Sequence, residues 1–223
     1  MSTVLEVKGL TFKYKGKHSA PVLENLDYCF SPGKLYAVLG KSGSGKSTFM
    51  SLLGGMEKPT EGEILYQGED IWKKQMNDYR NRHVGMVFQA YNLLEYMNGS
   101  QNILAAMEIT KNKIEDPGAL CRELLDKVGI DEETAKRNVK KISGGEQQRI
   151  AIARALGKGA DIILADEPTG NLDEDTAEEI MDLFLKIAHE DGKCVILVTH
   201  SKCLAERADV VLHINAKNEH KTF

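Results

Sequence analysis

The run Gly40-Lys41-Ser42-Gly43-Ser44-Gly45-Lys46-Ser47 has the spacing of a phosphate cradle: a glycine, four residues, a second glycine, then a lysine and a hydroxyl. Glycines at these points let the backbone curl until successive N–H groups converge on one anion. A helix opening near Lys46 and running through Thr48 would aim its positive end at the same charge. In that geometry Lys46 reaches the β- and γ-phosphates of a nucleotide, and the Ser47 hydroxyl serves as a ligand of Mg²⁺.

A second cluster closes the stretch Asp161-Ile162-Ile163-Leu164-Ala165-Asp166-Glu167. A short apolar strand would deliver both carboxylates to the C-terminal edge of a sheet, where α/β proteins bind ligands. Neighbouring strand residues point to opposite faces, so the two carboxylates need not share a task. Asp166 suits the Mg²⁺ shell, and Glu167 suits positioning or deprotonating an attacking water. Alone, such a pair is weak evidence and reads first as a helix cap beside a solvated acid; downstream of a phosphate loop it reads as a hydrolytic pair. A third element, Ser143-Gly144-Gly145 within Ile142-Ser143-Gly144-Gly145-Glu146-Gln147-Gln148-Arg149, opens another helix. Its hydroxyl and exposed amides make either a second anion site or a plain serine cap.

These groups need a scaffold that ends several strands at one edge. Short alternating or apolar runs predict strands over 4–10, 26–30, 34–39, 63–66 and 84–88, with Ser31-Pro32-Gly33 as a turn. From about 100 to 141 the texture is helical, with Leu120, Leu124, Leu125 and Val128 on one face, Pro117 near a helix start and Gly129 just past its end. After 145, helix and strand alternate. A helix near 176–189 carries an apolar stripe through Ile180, Phe184 and Ile187, with Asp173, Glu174 and Asp175 crowding its first turn, where the dipole favours negative charge. The alternation predicts an α/β fold built on a mostly parallel sheet covered on both faces. An N-terminal antiparallel β subdomain and a helical insert over about 90–142 decorate that core, all within one domain spanning 1–223.

Of the 223 residues 42% are hydrophobic and 28% charged, and 29 Lys plus Arg against 33 Asp plus Glu leave a formal charge of −4. That balance gives no electrostatic reason to expect nucleic acid as a partner. The apolar runs are about four residues long, against the roughly 20 that a membrane span requires. The N-terminus lacks the basic-then-apolar pattern of a signal peptide, and no regulatory domain is expected beyond a strand near 209–214. Cys29, Cys121, Cys194 and Cys203 form no Cys-x-x-Cys pair, which argues against a zinc ribbon or a disulfide framework and for a reducing, cytoplasmic setting. Lys15-Gly16-Lys17-His18 reads as a solvated loop.

Ile-Ser-Gly-Gly-Glu-Gln-Gln-Arg closely resembles the signature motif of the ATP-binding cassette (ABC) ATPases, and the remaining motifs of that family follow in order across nearly the whole chain. Gln89 matches the Q-loop glutamine, Gly170-Asn171-Leu172-Asp173 the D-loop, and His200, after a strand at 195–199, the switch histidine. Tyr14 matches the aromatic that stacks on adenine; Phe12 lies two residues earlier on the same strand face, so packing and stacking compete for the two rings. Glu146 stands where the wider family has glutamine. The motif variants look most like an exporter group that acts in lipoprotein release, macrolide efflux and resistance to bacitracin-like peptides.

The resemblance implies an ATPase using ATP and Mg²⁺, with Glu167 and His200 catalytic, Ser47, Gln89 and Asp166 around the metal, and Tyr14, the 40–48 loop and Gln89 on the nucleotide. It further implies an ATP-dependent homodimer in which Ser143, Gly144 and Gly145 of one copy complete the site of the other. Such a subunit sits peripherally on the cytoplasmic face of the membrane and drives separate permease subunits, which would dock around the helical insert and residues 91–97. The alternative is a regulatory ABC ATPase of the cell-wall or cell-division type, which acts through a membrane partner without moving a substrate. A P-loop kinase would leave Ser143-Gly144-Gly145 unexplained.

Overall fold

The computed structural model describes residues 3–15, 20–73, 76–110 and 113–214. The expectation for the loop at Gly16, Lys17 and His18 falls outside the described residues. Two sheets organise the chain. Strands β1 (Leu5–Phe12), β2 (Leu23–Phe30), β4 (Glu61–Tyr66) and β5 (Glu69–Asp70) form an antiparallel sheet in the order β2-β1-β4-β5. Strands β3 (Lys34–Leu39), β6 (Val84–Phe88), β7 (Ile162–Asp166), β8 (Cys194–Thr199) and β9 (Val210–His213) form a wholly parallel sheet in the order β6-β7-β8-β3-β9.

The parallel strands read apolar on both faces because both faces are covered. On β7, Ile163 and Ala165 join one hydrophobic cluster while Ile162 and Leu164 join another; on β8, Val195 and Leu197 oppose Ile196 and Val198 in the same way. The first cluster is completed by the helices α3 (Gly99–Thr110), α4 (Pro117–Lys127), α6 (Gly144–Gly157) and α7 (Glu174–His189). The second is completed by α1 (Lys46–Leu53) and the inner face of the antiparallel sheet.

The short elements are α2 (Met76–Asp78), which runs into a π-helical turn at Tyr79–His83, α5 (Glu132–Lys136) and α8 (Lys202–Glu206). Periodicity gave no sign of the π turn or of β5, each being too short to show a repeat. The helices α3, α4 and α5 lie between β6 and β7 in the chain, and α3 and α4 both pack on α6. Pro117 opens α4 behind the N-cap Asp116, and Gly129 beyond its end has φ +71°, the left-handed conformation that ends helices. Cys121 and Cys194 are buried, Cys29 and Cys203 exposed, and all are thiols.

Candidate functional site

The register of the parallel sheet places the site residues before any side chain is considered. Phe88 and Val198 flank Asp166, and Leu39 pairs with Thr199. Gln89, Glu167, His200 and Gly40 therefore leave their strands along one C-terminal edge. Onward connections from the neighbours β3 and β8 run to opposite edges of the sheet, to β6 and β9, so a crevice opens between them. The glycine-rich loop sits there, between β3 and α1.

Gly45 is the N-cap of α1 with φ +96°, and a methyl on it would stand 2.8 Å from Leu23 Cδ2. Only glycine meets both conditions. Lys46 is buried, and its ammonium donates to the carbonyls of Gly40 at 2.8 Å and Lys41 at 3.1 Å, so the cation is held inside the curl of the loop. Ser44 is buried as well, and its hydroxyl has no hydrogen-bond partner among the described residues.

Asp166 ends β7 facing this loop. Burial raises its carboxyl above the usual range, opposed by a hydrogen bond with Ser47 and by the charge of Lys46. The buried oxygen Oδ1 has no partner among the described residues. An orphaned carboxylate oxygen beside a hydroxyl, with an amide side chain on the adjacent strand end, is the hard-oxygen donor set that suits Mg²⁺. The chemistry of these side chains fits that ion.

Glu167 follows with φ +48°, a sparsely populated conformation for a non-glycine residue. Its N–H still donates to the Val198 carbonyl at 3.0 Å, the last bond of the β7–β8 ladder, and the positive φ turns the chain off the strand there. The carboxylate accepts from His200 Nδ1, or pairs with it when charged, at 2.9 Å. The acid is largely covered while the imidazole is 71% exposed.

At the end of β6, Gln89 Nε2 donates to Asn171 Oδ1 at 3.0 Å, and Asn171 Nδ2 donates to the Gln89 carbonyl at 3.1 Å. Of the two rings, Phe12 is buried, whereas Tyr14 is exposed, packs edge-on against Phe12 at 5.0 Å and shares a hydrogen bond with Thr48 Oγ1 at 3.0 Å.

Ser143 caps α6. Its hydroxyl accepts from the Glu146 N–H at 3.2 Å, and the Glu146 carboxylate accepts from the Ser143 N–H at 2.6 Å. This is a capping box, in which Glu146 serves the helix end as directly as the serine does. The pattern Ser-x-x-Glu announces it in the sequence. A methyl on Gly144 would stand 2.7 Å from the Tyr91 hydroxyl. Tyr91 and Asn92 both have positive φ, and their carbonyls accept from the Arg154 guanidinium on α6. Spacing gave no sign of that clamp, which ties the segment after Gln89 to the signature helix.

A family model described as ABC transporter matches residues 23–170. The chain is 45% identical over 213 residues to the uncharacterised ABC transporter ATP-binding protein YclH of Bacillus subtilis, covering 96% of this chain and 94% of that protein. It is 38% identical to the lipoprotein-releasing system ATP-binding protein LolD of Colwellia psychrerythraea, covering 94% and 82%. With the macrolide export ATP-binding/permease protein MacB of Syntrophobacter fumaroxidans it shares 36% identity, covering 95% of this chain and 30% of that longer protein. Among solved structures, the dimeric post-hydrolysis state of the ATP-binding cassette MJ0796 bound to ADP and Pi superposes with a TM-score of 0.87 at 32% identity, covering 98% of each chain.

Proposed function

Since this chain belongs to the ABC transporter ATP-binding family and is an ATPase, we propose that it is the ATP-hydrolysing subunit of a membrane exporter or extractor, dimerising on ATP and driving a separate permease. The observation that carries the reading is one sheet edge that gathers an orphaned Asp166 oxygen, the Ser47 hydroxyl, the enclosed Lys46 ammonium and the Glu167–His200 pair. Phosphoryl transfer to water needs positioning and charge neutralisation more than covalent chemistry, and this edge is built for both.

In this reading Tyr14 stacks on the base, the amides of residues 40–48 take the triphosphate, and Lys46 turns from the loop carbonyls to the β- and γ-phosphates. Ser47, Asp166 and Gln89 hold Mg²⁺, which when bound supplies neutralisation of phosphate charge. Glu167 takes a proton from the attacking water. His200, held by Glu167 and otherwise open to solvent, meets the γ-phosphate. Ser143, Gly144 and Gly145 complete the site of a second copy, as the family resemblance implies; a dimer of such chains then holds two equivalent sites.

No helix among the described residues is long and apolar enough to cross a membrane. In this reading a separate permease receives the motion. The exposed side chains Leu94 and Tyr96, on the segment after Gln89, supply apolar surface for it, and a cavity of about 450 Å³ between Met76–Arg82 and Ile109 supplies a recess. The relatives named for lipoprotein release and macrolide export favour export over a purely regulatory task.

Mixing a Ser143→Ala variant with a Lys46→Ala variant tests the shared site. The two defects should fall in one composite site of the mixed dimer and leave the other intact, restoring up to half of one site pair's turnover. A mixture no more active than either variant alone would refute the assignment across the interface.

A further inference from the structure

The exchange between Gln89 and Asn171 does more than join two loops. The Gln89 backbone carbonyl can only accept, so Asn171 must present its Nδ2 to it, which leaves Asn171 Oδ1 to face the Gln89 side chain. An oxygen there selects one end of the Gln89 amide, the Nε2 donor. The other end, Oε1, takes no part in the exchange. A side-chain amide can rotate by half a turn at little cost in space, so on an open strand end Gln89 would present nitrogen and oxygen alternately. Hard cations take oxygen, and an N–H₂ turned toward one is repelled.

We propose that Asn171 is a positioning residue that fixes the flip of the Gln89 amide, committing its oxygen to the nucleotide–metal side. The proposal rests on the reading of Gln89 as a Mg²⁺ and water contact. Gly170 leaves room for the amide to lie against Asn171: a methyl on it would stand 2.8 Å from Gln89 Nε2 and 3.1 Å from Cδ. Asn171 thus links two segments with different tasks, since Gln89 precedes the clamped Tyr91 and Asn92, whereas Asn171 lies two residues before Asp173, the N-cap of α7. The Gln89 oxygen is held in place only while those segments keep their distance.

The first test needs neither nucleotide nor metal. In the ¹⁵N–¹H spectrum of the protein alone, the Gln89 side-chain NH₂ should give one proton shifted by its bond to Asn171, and Asn171→Ala should return the pair to the position of solvated amides. The second test is turnover. Asn171→Ala should lower kcat about tenfold, with the KM for ATP within about twofold and a raised half-saturating Mg²⁺ concentration, as loss of one oriented ligand predicts. Gly170→Ala should do the same by displacement. In a Gln89→Ala background, Asn171→Ala should add nothing. An unchanged Gln89 signal in Asn171→Ala would overturn the proposal, as would defects that multiply. Wild-type turnover in Gln89→Ala alone would instead refute the role of Gln89, whatever the spectrum of the pair.

Discussion

His200 Nδ1 lies 2.9 Å from Glu167 Oε2, joining the ends of two neighbouring strands through their side chains. The bond orients the imidazole, which little else confines, and covers the carboxylate that we propose receives a proton. A pair acting as one unit should fail as one unit. Glu167→Gln should bind ATP, accumulate as a stable dimer and lose at least about 100-fold in turnover, the range for removing a general base. His200→Ala should lose a comparable factor, and the double variant little more. Phosphate release together with light scattering at saturating ATP reads both; additive losses would mean that the two act independently.

Tyr14 separates ring from hydroxyl. Its phenol bonds to Thr48, while its exposed face is what a base would meet. Tyr14→Phe should keep the KM for ATP near wild type. Tyr14→Ala should raise it about five- to 150-fold, the equivalent of one base–aromatic stack. Because stacking ignores hydrogen-bonding edges, GTP should be a substrate with a KM of the same order.

The capping box at Ser143 separates stability from chemistry. Glutamine can return the same bond to the Ser143 N–H, so Glu146→Gln should unfold at nearly the wild-type urea concentration. Ser143→Ala should cost about 1 kcal/mol as a lost N-cap and, in addition, lose turnover that Glu146→Gln keeps. Equal turnover in the two variants would confine Ser143 to the helix cap.

Lys158 offers a pH test. Its ammonium caps the carbonyls of Arg80 and Val84, and burial, helped by the charges of Arg80 and Arg154, pushes it down to about 8 from 10.5. Between those values the unfolded chain holds more protons than the folded one, so this group's contribution to stability rises with pH. Below pH 8 both forms are charged and the penalty is complete. Lys158→Met cannot titrate. The urea midpoint of the wild type relative to this variant should therefore climb between pH 8 and pH 10; a flat or falling difference would contradict the assignment.

What could be read in the chain beforehand was what neighbouring residues dictate. The 40–47 glycines, the Asp166–Glu167 pair behind an apolar strand, and the α4 boundaries at Pro117 and Gly129 are each local devices whose reason lies within a few positions. The parallel character of the sheet followed from alternation of type, and the positions of Gln89 and His200 from the apolar runs that precede them; the strand order could not be read. What could not be read joins distant residues through single atoms. Asn171 and Gln89 are 82 residues apart, Arg154 and Asn92 are 62 apart, and nothing in either neighbourhood marks its partner. The orphaned oxygen of Asp166 is likewise a property of packing, since an aspartate at a strand end is ordinarily wet.

At the end of α6 remote from Ser143, Gly85 of β6 approaches Ala155 so closely that a methyl would stand 2.9 Å from the Ala155 carbonyl. Ser143 caps the opposite tip of this 14-residue rod, about 18 Å from Ala155 at 1.5 Å per residue. Swinging such a rod by about 10° carries its tip some ~3–4 Å, the difference between a hydrogen bond and a gap. A tilt about the Gly85 contact would thus be amplified at the serine.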